Sequence, residues 1–300
     1  MQYEEDATRE ISFPLGGIGS GSIGLAGNGR LVDWEIFNRP SKGSINGHSH
    51  FAIKAIRNHK AITYVLNGDL KKDLVGQYEK ATFRGYGFGP SDKSMCGFPH
   101  FRQTEFLGEF PVASIQFRDD NFPAEVKLTA FNPFIPNDED NSSIPAAFFE
   151  IEVTNTEREA IEYQIAFSVT NPFPVSENEG KTESNRGILK LYHAGVEKNH
   201  LEYGDLCVAT DCEDVHIQTY RYMAALQFYR KEFAMKNEIK RVVRVLPLAV
   251  YIHMLLTVQV FAAEDMLTVA NRIIIDAYNK IAGASTALAA LITMDCVGDY

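Results

Sequence analysis

Cysteine, tryptophan and positive charge are all scarce in this sequence. Its four cysteines, Cys96, Cys207, Cys212 and Cys296, include no CxxC pair. That excludes a disulfide scaffold, and a reducing cytoplasm is the simplest setting. The net charge is −10. An acidic chain is repelled by phosphate backbones, so no nucleic-acid partner is expected, while neutral ligands such as sugars stay open. The opening MQYEEDATRE holds four acids and no apolar run, so no secretory signal is visible. What is present reads as globular: 45% hydrophobic and 23% charged residues, in a chain long enough for about two domains.

Composition changes near Tyr222. Up to that point lie 20 of the 22 glycines, 11 of the 12 prolines and 17 of the 20 phenylalanines; beyond it come 13 alanines. A shift this sharp predicts a boundary, with one unit at 1–222 and another segment at 223–300.

The first unit reads as mostly β. Ile161, Tyr163, Ile165, Phe167 and Val169 alternate with Glu162, Gln164, Ala166 and Ser168. That period of two leaves one face wholly apolar. Similar alternation predicts strands through Phe149–Val153, Val126–Ala130, Phe51–Ala55 and Ala113–Phe117, with Pro- and Gly-bearing breaks between. One-faced strands must bury that face on another sheet. The expected architecture is an antiparallel two-sheet β-sandwich.

The last segment reads as α-helical. Met266, Ala270, Ile273, Ala277 and Ile281 recur at helical spacing, as do Leu226, Tyr229 and Phe233. Between them, residues 245–263 carry no Asp, Glu, Lys or Arg. That length matches a membrane span, but Pro247, His253, Thr257 and Gln259 argue against one. The expectation is a buried core helix.

The glycine cluster FPLGGIGSGSIGLAGNG, residues 13–29, is the most distinctive motif. Gly19, Gly21 and Gly24 satisfy G-x-G-x-x-G, but a dinucleotide site needs a helix directly afterwards, and LAGNGR follows instead. The other reading is a run of tight turns and a crowded strand where a side chain would clash. This cluster, followed by GNGRLVDWEIFNRPSKG, is similar to the opening of glycoside hydrolase family 116 proteins. A second block, LTAFNPFIPNDEDNSSIPAAFFEIEVTNT at residues 128–156, resembles the same family. The resemblance covers about residues 8–220. The family contains β-glucosidases and the non-lysosomal glucosylceramidase.

The resemblance implies an N-terminal sandwich packed on a C-terminal (α/α)6 barrel. It also implies that the barrel holds a Glu nucleophile and an Asp acid/base, acting on a β-glucoside or glucosylceramide-like substrate. Retaining chemistry of this kind needs two carboxyl groups about 5 Å apart. Residues 223–300 match no such block, so no catalytic residue is assigned and no cofactor or metal is expected. A fusion, an out-of-frame read and a diverged start of the helical domain are all open accounts of that segment. Gly19, Gly21, Gly24, Trp34, Glu35 and Asn38 are the expected binding or domain-interface residues.

Other candidates have plainer readings. His48 and His50 form HxH, which lacks a third metal ligand and suits a polar turn. Asp92, Asp119 and Asp120 read as solvated loop residues. Asp138, Glu139 and Asp140 lack EF-hand spacing. Trp34 suits either the core or a sugar platform. Three functions compete: the non-catalytic part of a glycoside hydrolase, a stand-alone carbohydrate-binding or interaction module, and, ranked last, a nucleotide-dependent enzyme using the glycine cluster.

Overall fold

The computed structural model describes residues 1–8, 10–37, 39–68, 95, 97–173, 180–185, 188–193, 197, 203–210, 212, 215, 217, 244–245 and 250–259. In chain order the strands are β1 (Gln2–Glu4), β2 (Ser12–Leu15), β3 (Ser22–Ala26), β4 (Leu31–Glu35), β5 (His50–Arg57) and β6 (Lys60–Gly68). They continue as β7 (His100–Phe101), β8 (Gln103–Glu109), β9 (Val112–Arg118), β10 (Ala124–Phe131), β11 (Ala146–Asn155) and β12 (Ile161–Ser168). The last are β13 (Gly180–Asn185), β14 (Ile188–His193), β15 (Asp205–Thr210), β16 (Arg244–Val245) and β17 (Val250–Gln259). The described helical elements are a 3-10 turn (Glu5–Thr8) and a four-residue helix, α1 (Glu139–Ser142).

These strands make sheets of nine, five and three. The orders are β1-β8-β9-β10-β11-β17-β15-β14-β13, β16-β12-β5-β6-β7 and β2-β3-β4. Neighbours run antiparallel, save β6 and β7. The period of two explains the register. In β10, Ala124, Val126, Leu128 and Ala130 are buried while the residues between them are half-buried. Leu128 lies opposite Ile115 on β9 and Ile151 on β11. A slip of one residue would turn the whole apolar row outward.

The two larger sheets face each other across one core. Phe51 of β5 lies 5.2 Å from Phe149 of β11, and Phe101 of β7 lies 5.5 Å from Phe117 of β9. All four rings are fully buried. Truncating any one to Ala should cost about 3–5 kcal/mol. The third sheet joins the same core through Leu15, Ile23, Leu25, Leu31 and Trp34. The sequence pattern predicts two sheets; among the described residues there are three.

The helical expectation fails where the tail is described. Residues 250–259 form β17, which fills the gap between β11 and β15. Ile252 lies opposite Ile151, and Leu256 opposite Ala147 and Val208. The run VYIHMLLTVQ lacks alternation, and that absence suggests a helix. A strand inside a large sheet can be apolar throughout, and Val250, Tyr251, Ile252, Thr257 and Val258 are good strand formers. The helical positions Leu226, Tyr229, Phe233, Met266, Ala270, Ile273, Ala277 and Ile281 lie outside the described residues. Among the described residues no helix is long and apolar enough to cross a membrane.

Candidate functional site

The small sheet is built where glycine lets backbones meet. A Cβ on Gly24 of β3 would run into the Ser12 hydroxyl on β2 and lie 3.2 Å from the Asp33 Cβ. Gly21 has φ +93°, and a Cβ there would lie 2.9 Å from the Glu35 carbonyl oxygen. Gly19 is a turn residue with open space around it. The glycines are followed by the β3–β4 hairpin rather than a helix. A phosphate-holding helix N-terminus is therefore not formed there.

Asp33 sits midway along β4, an outer strand of this sheet, 7% exposed and at φ 50°. A non-glycine residue holds that backbone region only when its surroundings fix it. Here the Ser12 hydroxyl donates to Oδ2 at 2.6 Å, and the Gly43 N–H donates to Oδ1 at 2.6 Å. The Asp33 N–H donates to the Ser44 carbonyl at 2.9 Å. Lys42 Nζ lies 2.8 Å from Glu35 Oε2 and 3.6 Å from Asp33 Oδ2. Burial alone would raise the Asp33 carboxyl, but Ser12, Gly43 and Lys42 together hold it below its ordinary value. Lys42, and then the Ser41 N–H, hold Glu35 below its own. Both carboxylates are therefore ionised at neutral pH and share the one Lys42 ammonium.

Trp34 is 6% exposed, and its Nε1–H donates to the Leu31 carbonyl at 3.3 Å. Its ring belongs to the core cluster. Asn38 lies outside the described residues, as do Asp92, Cys96 and Cys296.

The two sequence blocks meet at Asn132, which the sequence does not single out. Its Oδ1 accepts from the Gly16 N–H at 2.6 Å, and its Nδ2 donates to the Pro14 carbonyl at 2.9 Å. Its own N–H donates to the Pro111 carbonyl at 3.0 Å. Asn132 is 5% exposed. A second tie runs from the Ile18 N–H to the Ser142 carbonyl at 2.8 Å. A Cβ on Gly17 would overlap Ile144. Gly16, Ser20, Gly21, Ile36 and Pro145 border a small cleft of about 10 Å³ at this junction, room for roughly one water. The only hint of Asn132 in the sequence is its place in FNPFIP, directly before Pro133.

Several polar residues differ from the sequence reading. His50 is not in an exposed turn but is 4% exposed on β5. Its Nδ1 is 2.6 Å from the His48 carbonyl. Asp119 is not solvated: its side chain is 2% exposed, 3.8 Å from Arg102 Nε, and takes the Asn121 N–H at 2.8 Å. Asp138 caps α1 by accepting from the Asn141 N–H at 3.0 Å. Among the described residues no three His, Cys, Asp or Glu side chains are grouped to hold a metal.

No curated protein matches the chain. A solved structure described as a kojibiose phosphorylase from the human microbiome superposes with a TM-score of 0.46 at 9% identity. The match covers 95% of this chain and 36% of that one, so the chain spans about a third of that protein's length. A family model for "beta-glucosidase 2, glycosyl-hydrolase family 116 N-term" matches residues 12–246. That range takes in the glycine cluster, Asp33, Glu35, Asn132 and every tie between them, and on it the chain belongs to glycosyl-hydrolase family 116, as the N-terminal part.

Proposed function

We propose that this chain is the non-catalytic β-sandwich part of a β-glucosidase or glucosylceramidase-like hydrolase, and that it braces a helical catalytic barrel. The family match over residues 12–246 carries the reading. The chemistry of the site supports it. A retaining glycosidase needs one carboxyl group whose pKa is raised so that it can donate a proton. Asp33 and Glu35 are pushed the other way. Their lysine, hydroxyl and amide partners suit a brace rather than proton transfer. Trp34 packs in the core and offers no open ring face for a sugar, so the carbohydrate-module reading gains no support from it. The structural unit in this proposal includes β16 and β17, and so runs past the change in composition at Tyr222. A reducing cytoplasmic setting belongs to the same reading.

The test is direct. Purified full-length chain is incubated with an aryl β-glucoside. No turnover is expected. Turnover, whether or not it depends on an acid beyond residue 222, would overturn the proposal.

A further inference from the structure

One end of the molecule holds large apolar side chains in solvent. Ile18, at the tip of the glycine loop, is 58% exposed, and Phe110, at the β8–β9 turn, is 53% exposed. Phe110 packs edge-on against Phe134 with ring centroids 5.2 Å apart, and lies 6.3 Å from Phe13. Ile18 is tied to the same segments through the backbone. Its N–H reaches Ser142, whose hydroxyl bonds both the N–H and the carbonyl of Ile135, next to Phe134. Residues 13–24, 107–113 and 131–147 are thus tied to one another, and Ile18 and Phe110 are exposed upon them.

Two properties of this surface point to a protein partner. Its backing is fixed by Asn132 and by the close approach of Gly17 to Ile144. A rigid apolar patch loses little entropy on binding. The three segments also carry Glu109, Asp138, Glu139 and Asp140 and no Lys or Arg. Charge then decides the occupant. A second copy would set acids against acids, which is unfavourable, whereas a basic partner would offset them. We infer that this end docks a different polypeptide, one whose contact face sets apolar side chains among lysines and arginines. The inference goes beyond the bracing role: it names a surface and a chemistry, and it stands whether or not the partner is catalytic.

Two labelled helical peptides test it. Both carry leucines at positions i, i+3, i+4 and i+7; one is flanked by lysines and the other by glutamates. The full chain is titrated into each and anisotropy is read. The lysine-flanked peptide should bind about tenfold tighter or better. Phe110→Ser and Ile18→Ser should each weaken it about fivefold or more without changing net charge. Ile62→Ser, on the β5–β6 hairpin of the five-stranded sheet, should not. Equal binding of the two peptides, no binding, or indifference to both Phe110 and Ile18 would overturn the inference. Light scattering of the chain alone at neutral pH should show a monomer. A dimer that Phe110→Ser dissolves would give the surface to a second copy and overturn it as well.

Discussion

His50 makes the fold sensitive to mild acid. Burial pushes its pKa down from 6.5 to about 4; the His48 carbonyl opposes the fall, while the charges of the His48 and His100 rings add to it. The unfolded chain then binds a proton that the folded chain refuses. Stability is fully present above about pH 6.5 and declines as pH falls towards 4. The shift corresponds to a loss of roughly 3 kcal/mol by pH 4. Urea midpoints measured across this range should fall steadily, and His50→Gln should flatten the slope. An unchanged slope in the variant would assign the effect elsewhere. Asp33 acts over a lower window. Its lowered pKa means that its stabilisation is present above its ordinary value of 3.8 and is lost as pH falls further. The two titrations are therefore separable. Asn132 is the other decisive residue. Asn132→Ala removes its side-chain bonds to Gly16 and Pro14 and leaves a buried N–H and C=O to be satisfied. A cost of about 2–4 kcal/mol follows, readable by urea denaturation. A loss below 0.5 kcal/mol, the ordinary scatter of surface substitutions, would mean that water replaces it.

At the scale of elements, β17 is the piece that decides whether the large sheet is whole. It bonds β11 on one side and β15 on the other. Without it both strands would present open edges in the middle of a sheet, and edges of that kind aggregate. A chain ending at residue 222 should therefore fail to melt cooperatively, while one ending at residue 262 keeps β17 and should melt cooperatively. Equal melting of the two would remove β17 from the sheet. This strand also marks the limit of what the sequence conveys. Strands β9 to β12 are legible because each has one face in the core and one towards water, which writes polarity into every second residue. The run VYIHMLLTVQ carries no such alternation, so by pattern β17 looks like a helix. The site divides in the same way. Gly21, Gly24, Trp34 and Glu35 stand out by residue type, and they do gather in one small sheet. Asn132 and the burial of Asp119 and His50 depend on partners far along the chain, which local pattern does not encode.

The whole molecule combines a net charge of −10 with an apolar end. At neutral pH like charge keeps copies apart. As pH falls to the isoelectric point, near 5.3, that repulsion disappears while Ile18 and Phe110 stay exposed. Association should therefore peak near pH 5.3 rather than grow steadily with acid. Dynamic light scattering at a series of pH values reads this directly. Circular dichroism on the same samples separates association of folded chains from the unfolding that His50 promotes. The double variant Ile18→Ser, Phe110→Ser keeps the charge and should lower the scattering peak while leaving the dichroism curve in place. A peak of the same height in the variant would show that association runs through another surface. A peak that tracks the loss of dichroism would show that only unfolded chains associate.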